Sequence, residues 1–397
     1  SVEVITNPDA TFDSEGTGGI INIISRKQGA SGLSGFAGVN YGFNHFANGN
    51  FAIAGNINDS MLVQTAGVTN ITNANTAEKT HCSANQIRNF STGSAATAMK
   101  VLSDAQMTVS VTGTEPVIFR AHGVAVRTAG NTELLKNCVA KSDVDNGITA
   151  TAGSVKLGTD IDVKGKLYGI EAQGDTTVTI NGEAEHLAVV TGENKDGIRM
   201  GTGKLEADYA TITGKDYGVY SSADVEIKNS TVTGSVHEGV YSAADVQVES
   251  SEVTGYSGIG ALGDVTVTGA SIVTGEKYDG ISAAGAVTLT GDSDNIVAVI
   301  GKLQAGVKAR SLDASYAEIT GNASGVELTE KIKLNKCAVT SINPNSVQGG
   351  ILVTAAEGDS EICDSKVVSK IASVPALKFV GKTGSEASLT VDDTMAD

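Results

Sequence analysis

The sequence predicts an all-β right-handed parallel β-helix (a solenoid) of about 22–23 residues per turn, and three observations predict it. The first is composition. Gly accounts for 48 of 397 residues and Pro for 4, Trp is absent, and aromatics total 4%. Small β-branched residues with abundant Gly suit many short strands joined by turns, and a helical bundle is excluded. The second is self-similarity. GVYSSADVEIKNSTVTG from Gly218, GVYSAADVQVESSEVTG from Gly239 and GIGALGDVTVTGASIVTG from Gly258 align, with weaker copies from Gly123, Gly147, Gly169, Gly197, Gly280, Gly306, Gly325 and Gly350. The third is alternation. Each unit holds three short segments in which apolar residues recur at every second position, so one side chain turns inward for each one outward.

The expected inward columns are Val219, Val225, Ile227 and Val232, then Val240, Val246, Val248 and Val253, then Ile259, Val265, Val267 and Val273. One unit cannot bury these alone, whereas stacking strands about 4.8 Å apart makes a continuous core. About a dozen such turns would form a rod roughly 50–60 Å long. Insertions are expected between strands, at Gly192–Lys195 and Gly291–Asn295.

Three regions follow in chain order. Residues 116–397 are the solenoid. Residues 59–115 form an irregular cap and first turn, where Thr65–Ala77 and Ser91–Ala98 are rich in Thr, Asn, Ser and Ala and Met107–Gly113 already has the strand pattern. The acidic tail Val391–Asp397 is the expected closure of the other end, since bare strand edges invite pairing. In residues 1–58, Val2–Ile5 reads as a strand, Asn7-Pro8-Asp9 as a turn, Gly16–Gly19 as a bend and Ile20–Ile24 as a buried strand. Phe36–Tyr41 and Phe51–Gly55 read as two alternating strands.

The motif EVITNP…EGTGGIINI in this first segment resembles the end of the plug domain of TonB-dependent outer-membrane receptors, followed by their first barrel strands. The resemblance covers about 15% of the chain. Most of a plug and the train of roughly 10-residue barrel strands are missing, so the transport function is not implied. The segment is either a borrowed cap or tether, or an unrelated fused piece.

The net charge of −17 makes nucleic acid and anionic lipid poor partners. Cys82, Cys138, Cys337 and Cys363 lie far apart without zinc spacing. No apolar run approaches about 18 residues, so no transmembrane helix is expected. The chain opens at Ser1 without the n- and h-regions of an export signal, which is the expectation for a mature or cut form.

Motifs of chemistry are few. Gly258–Gly263 matches GxGxxG, but it aligns with the GVYSSA of neighbouring units and leads into a strand, where a dinucleotide site needs a helix. Gly381-Lys382-Thr383 lacks the earlier glycine of a phosphate loop, since Ala376 stands there. His45, His81, His122, His186 and His237 show no paired spacing, and there is no GxSxG.

The candidate ligand-binding residues are Asp196, Asp216, Tyr217, Glu238, Tyr278 and Asp279, which stand one or two residues before the repeat glycine, with Asp145, Tyr168 and Tyr256 in similar bends. Turns in register would array them along one edge. Aromatic faces can stack on sugar rings, and carboxylates bind hydroxyls or Ca²⁺. The plainer reading is that an acid before glycine is ordinary turn chemistry. No catalytic or metal-ligating residue and no cofactor is assigned, Ca²⁺ being the one ion such a column could take. A second column, Thr191, Thr213, Thr233, Thr254, Thr274, Thr320 and Thr340, could order water as in ice-binding solenoids, but Glu252 and Glu318 interrupt it and a structural ladder is the simpler account.

In pattern the body resembles the glycine- and threonine-rich β-helix proteins of bacterial cell surfaces, several of which bind carbohydrate or act as adhesins. That resemblance implies a non-enzymatic extracellular or cell-surface rod whose partner is a polysaccharide or surface glycan. The alternative, by analogy of fold, is a polysaccharide lyase or glycoside hydrolase. The oligomeric state stays open.

Overall fold

The computed structural model describes residues 97–101, 106–111, 116–343, 349–370, 374–393 and 395–396, with strand backbones at 2–5, 20–23, 52–57, 60–65, 68–73 and 86–89. Among these residues the chain is all-β, a parallel β-solenoid of about 12 turns with about 22 residues per turn.

Most turns contribute three strands, whereas after Val126–Thr128 and Ile148–Ala150 the second and third run together as Asn131–Ser142 and Ser154–Gly165. In the turn opened by Gly218 the three are Val219–Ser221, Val225–Lys228 and Thr231–Gly234, which belong to sheets I, II and III. The register repeats one turn on: Val219 pairs with Val240, Val225 with Val246 and Val232 with Val253. Val246 pairs in turn with Val265, so the three valines of sheet II lie in one column. All twelve expected inward residues are buried, with at most 1% of their surface exposed. The single core they build runs from Ala98 to Val367.

The corners explain the polar residues of the repeat. Between sheets II and III the chain turns on one residue in the left-handed region: Tyr209, Asn229, Ser250, Tyr316, Lys336 and Asp364, with φ of 44–55°, and Gly269. In three consecutive turns a buried serine at this corner, Ser230, Ser251 or Ser271, links the turns. Ser230 N–H donates to Ser251 Oγ at 3.0 Å, Ser251 N–H to Ser271 Oγ at 3.2 Å, and each hydroxyl donates to a backbone carbonyl of its own corner. The glycine ending sheet III permits the corner back to sheet I, because a Cβ on Gly214 would collide with the Tyr217 carbonyl, and one on Gly275 with that of Asp279.

The expected insertion at Gly291–Asn295 lies outside the strands, that at Gly192–Lys195 begins on the last residue of a strand, and a further loop separates Thr177–Asn181 from Ala188–Gly192. The Thr column holds register from Thr191 through Thr213, Thr233 and Thr254 to Thr274, where Ile300 replaces it before Thr320 and Thr340. The GxGxxG stretch is strand Ile259–Ala261 and a corner into strand Val265–Thr268.

At the N-terminal side, Ala52–Ile57 pairs antiparallel with Ser60–Thr65, which joins sheet I beside Met99–Val101. Val2–Ile5 pairs antiparallel with Ile20–Ile23. The expected turn at Asn7–Asp9, the bend at Gly16–Gly19, the strand Phe36–Tyr41, and Cys82, His45 and His81 lie outside the described residues. At the other end the tail extends the stack. Ala387–Asp392 pairs parallel with Gly358–Cys363, and Met395–Ala396 with Lys366–Val367. No helix among the described residues is long and apolar enough to cross a membrane.

Candidate functional site: an aromatic edge

The corner between sheets III and I and the outer face of sheet I form one edge, and three columns of side chains run along it. Backbone hydrogen bonds fix the first: Gly169 N–H donates to Asp196 O, Gly197 to Tyr217 O, Gly218 to Glu238 O and Gly258 to Asp279 O. The second holds Lys195, Asp216, His237, Tyr256 and Tyr278, each joined to the next by a backbone N–H to carbonyl bond. The third is the outward position of sheet I, where Glu171 pairs with Arg199, Arg199 with Tyr220, Tyr220 with Tyr241, and Tyr241 with Gly260.

The result is a continuous ring cluster. Tyr220 and Tyr241 stack with centroids 5.2 Å apart, and Tyr217 meets Tyr220 edge-on at 5.2 Å. Tyr217 also stacks on His237 at 4.7 Å and lies 6.0 Å from Tyr241. The Arg199 guanidinium sits 4.5 Å from the Tyr220 centroid and 5.6 Å from that of Tyr168, within cation–π range. Of the nine tyrosines in the chain, Tyr168, Tyr217, Tyr220, Tyr241, Tyr256 and Tyr278 stand on this edge.

The six residues expected from sequence divide by what they touch. Asp196, with its side chain 2% exposed, accepts Tyr217 N–H at 3.3 Å and Arg199 Nη1–H at 3.1 Å. Burial pushes its carboxyl above the usual range, against the opposing pull of these two donors. Asp279 accepts Ala305 N–H at 2.9 Å, and burial raises it as well. Both carboxylates therefore do the corner work that Asn146 does for Tyr168 N–H at 3.2 Å. Asp216 pairs with Lys195 at 3.3 Å. Tyr217 lies at the centre of the ring cluster, where burial and the nearby Glu238 carboxylate raise its phenol. Tyr278 is 53% exposed and meets Tyr256 edge-on at 6.3 Å. Asp196, Asp216, Tyr217 and Glu238 thus fall in three consecutive turns, and Tyr278 and Asp279 lie two turns beyond Glu238.

Arg199, Tyr220, His237 and Tyr241 complete the cluster and were not anticipated. The signal for the two tyrosines was present in the repeated Gly-Val-Tyr-Ser, whose tyrosine alternates with an inward valine and so faces out. For His237 and Arg199 the signal is absent, because only the register brings them beside rings from other turns. Among the described residues no group of three or more His, Cys, Asp or Glu could hold a metal ion. Chemically, the edge offers flat apolar faces beside donors and acceptors for hydroxyl groups. No family model, curated protein or solved structure matches the chain.

Proposed function

We propose that this protein is a non-enzymatic glycan-binding solenoid of the extracellular or bacterial cell-surface kind, an adhesin or adhesive spacer whose contact surface is the aromatic edge. One observation carries the reading: Tyr217, Tyr220, His237 and Tyr241 form an unbroken set of ring contacts on the outside of the rod, capped by Arg199. In a chain with only 4% aromatic residues, outward rings gathered in one place supply what a sugar needs, a rigid apolar face with little side-chain entropy to lose. Hydrolysis of a glycosidic bond calls for two carboxyl groups flanking the scissile bond. On this edge Asp196 and Asp216 are engaged by Arg199 and Lys195, which favours binding over cleavage.

The test is a glycan array on the full chain, with reducing-sugar and unsaturated-product assays on the same sample. Binding without product is expected. A double variant, Tyr220→Ala with Tyr241→Ala, should bind the retained glycan at least tenfold more weakly, equivalent to about 1.4 kcal/mol. Undiminished binding by that variant, or turnover by the native chain, would overturn the reading.

A further inference from the structure

Three tyrosines at the centre of the edge touch one another. Tyr220 and Tyr241 stack with centroids 5.2 Å apart and planes 19° apart, and Tyr217 lies 5.2 Å from the first and 6.0 Å from the second. The stacked pair is fixed from beneath. Tyr220 and Tyr241 are register partners on adjacent strands of sheet I, each between an inward valine and an inward serine with no exposed surface. Their Cα atoms are thus held one strand spacing apart, about 4.8 Å. Both rings are half-buried rather than enclosed, so water and a small oxidant reach them.

We propose that Tyr220 and Tyr241 are an oxidative cross-linking site, joined by one-electron oxidation into a dityrosine that staples two adjacent turns. The proposal stands on the ring geometry and is independent of the glycan reading. An oxidant of the peroxidase class takes one electron from each phenol, and each phenol gives its proton to water. The unpaired electrons spread to the ring carbons ortho to oxygen, where one carbon–carbon bond forms between the two rings. The hydrogen on each bonded carbon then moves to the oxygen of its own ring, which restores both phenols. With hydrogen peroxide as terminal oxidant, two tyrosines and one peroxide give one dityrosine and two waters.

The rest of the chain favours this pair. Trp is absent, so tyrosine and the thiols are the readiest one-electron donors. Among the described residues the thiols are held protonated, and oxidation follows thiolate character. Burial pushes Cys138 up to about 12 and raises Cys337, and the bond to the Glu361 carboxylate raises Cys363. Tyr256 and Tyr278 meet edge-on at 6.3 Å, a poorer approach than the stack. Prior placement of both rings makes coupling unimolecular, while the net charge of −17 keeps separate chains apart. Because solenoid stability resides in contacts between neighbouring turns, one covalent bond across such an interface resists its opening.

The test treats the dilute full chain with peroxidase and limiting hydrogen peroxide, followed by trypsin and mass spectrometry. The expected product is a monomeric chain lighter by two hydrogen atoms, with dityrosine fluorescence. Its peptide Asp216–Lys228 should be joined to Asn229–Lys277 through Tyr220 and Tyr241. Tyr220→Phe and Tyr241→Phe, which keep the rings, should each abolish that joined peptide, and Tyr217→Phe should leave it. The linked chain should unfold at higher urea than the unlinked one. No joined peptide from the native chain, one that survives Tyr220→Phe, or links formed only between chains would overturn the site. Equal urea midpoints would overturn its role as a staple.

Discussion

Tyr217 and His237 stack at 4.7 Å, their planes 13° apart, although they occupy different columns of the corner. Tyr217 immediately precedes its repeat glycine and His237 stands two residues before the next one, so the corner must bring the earlier position of one turn under the later position of its neighbour. Tyr217 consequently touches Tyr220, His237 and Tyr241, while Tyr278, in the same column as His237, makes its one ring contact among the described residues with Tyr256.

That difference separates two tyrosines that look equivalent in the sequence. Tyr217→Ala should lower stability by about 1–2 kcal/mol, since aromatic pairs contribute roughly 0.5–1.5 kcal/mol beyond burial. Tyr278→Ala should cost less than about 0.5 kcal/mol, as surface changes do. Urea-unfolding midpoints of the two variants provide the check, and equal losses would contradict the ring geometry.

The core is most sharply tested at Val246, which sits between Val225 and Val265 with no exposed surface. Val246→Asp places a carboxylate in a column of methyl groups, with an effective penalty of several kcal/mol for an unpaired buried ion. Loss of soluble protein or a large fall in melting temperature is expected. A soluble variant with native melting would show that the register of sheet II is wrong.

Asp279 ties stability to pH. Burial raises its carboxyl in the folded state, so the folded chain holds this proton to higher pH than the unfolded chain does. Stability from this group is full below the unfolded carboxylate range and is lost as pH rises through the raised folded value. Asp279→Asn keeps an oxygen for the Ala305 N–H, as Asn146 does for Tyr168 N–H. The variant should therefore gain on the native chain as pH climbs from about 4 to 7, and thermal melts across that range would show it. A constant difference between the two would contradict the assigned burial.

The inward valines, the three strands per turn and the parallel stacking were legible because they follow from side-chain alternation and repetition, both local properties of the chain. The corner between sheets II and III was not. It turns on a left-handed residue as varied as Tyr209, Asn229, Ser250 and Lys336, so no residue type announces it, and the Ser230–Ser251–Ser271 ladder beneath it is visible only once the turns are stacked.

The sequence by itself determined that the chain coils into stacked parallel turns, which apolar residues go inside, and that acids and tyrosines gather near the repeat glycines. Only the tertiary structure decided which of these meet. Spacing between repeat glycines varies, and loops such as Gly182–Leu187 absorb the difference, so sequence separation does not reveal which side chains face each other across turns. Strand register does, because each backbone hydrogen bond fixes one residue against one partner. It is register that aligns Tyr220 with Tyr241, sets Gly260 beside Glu238, and turns Asp196 and Asp279 inward to the backbone while Glu238 is left facing the rings.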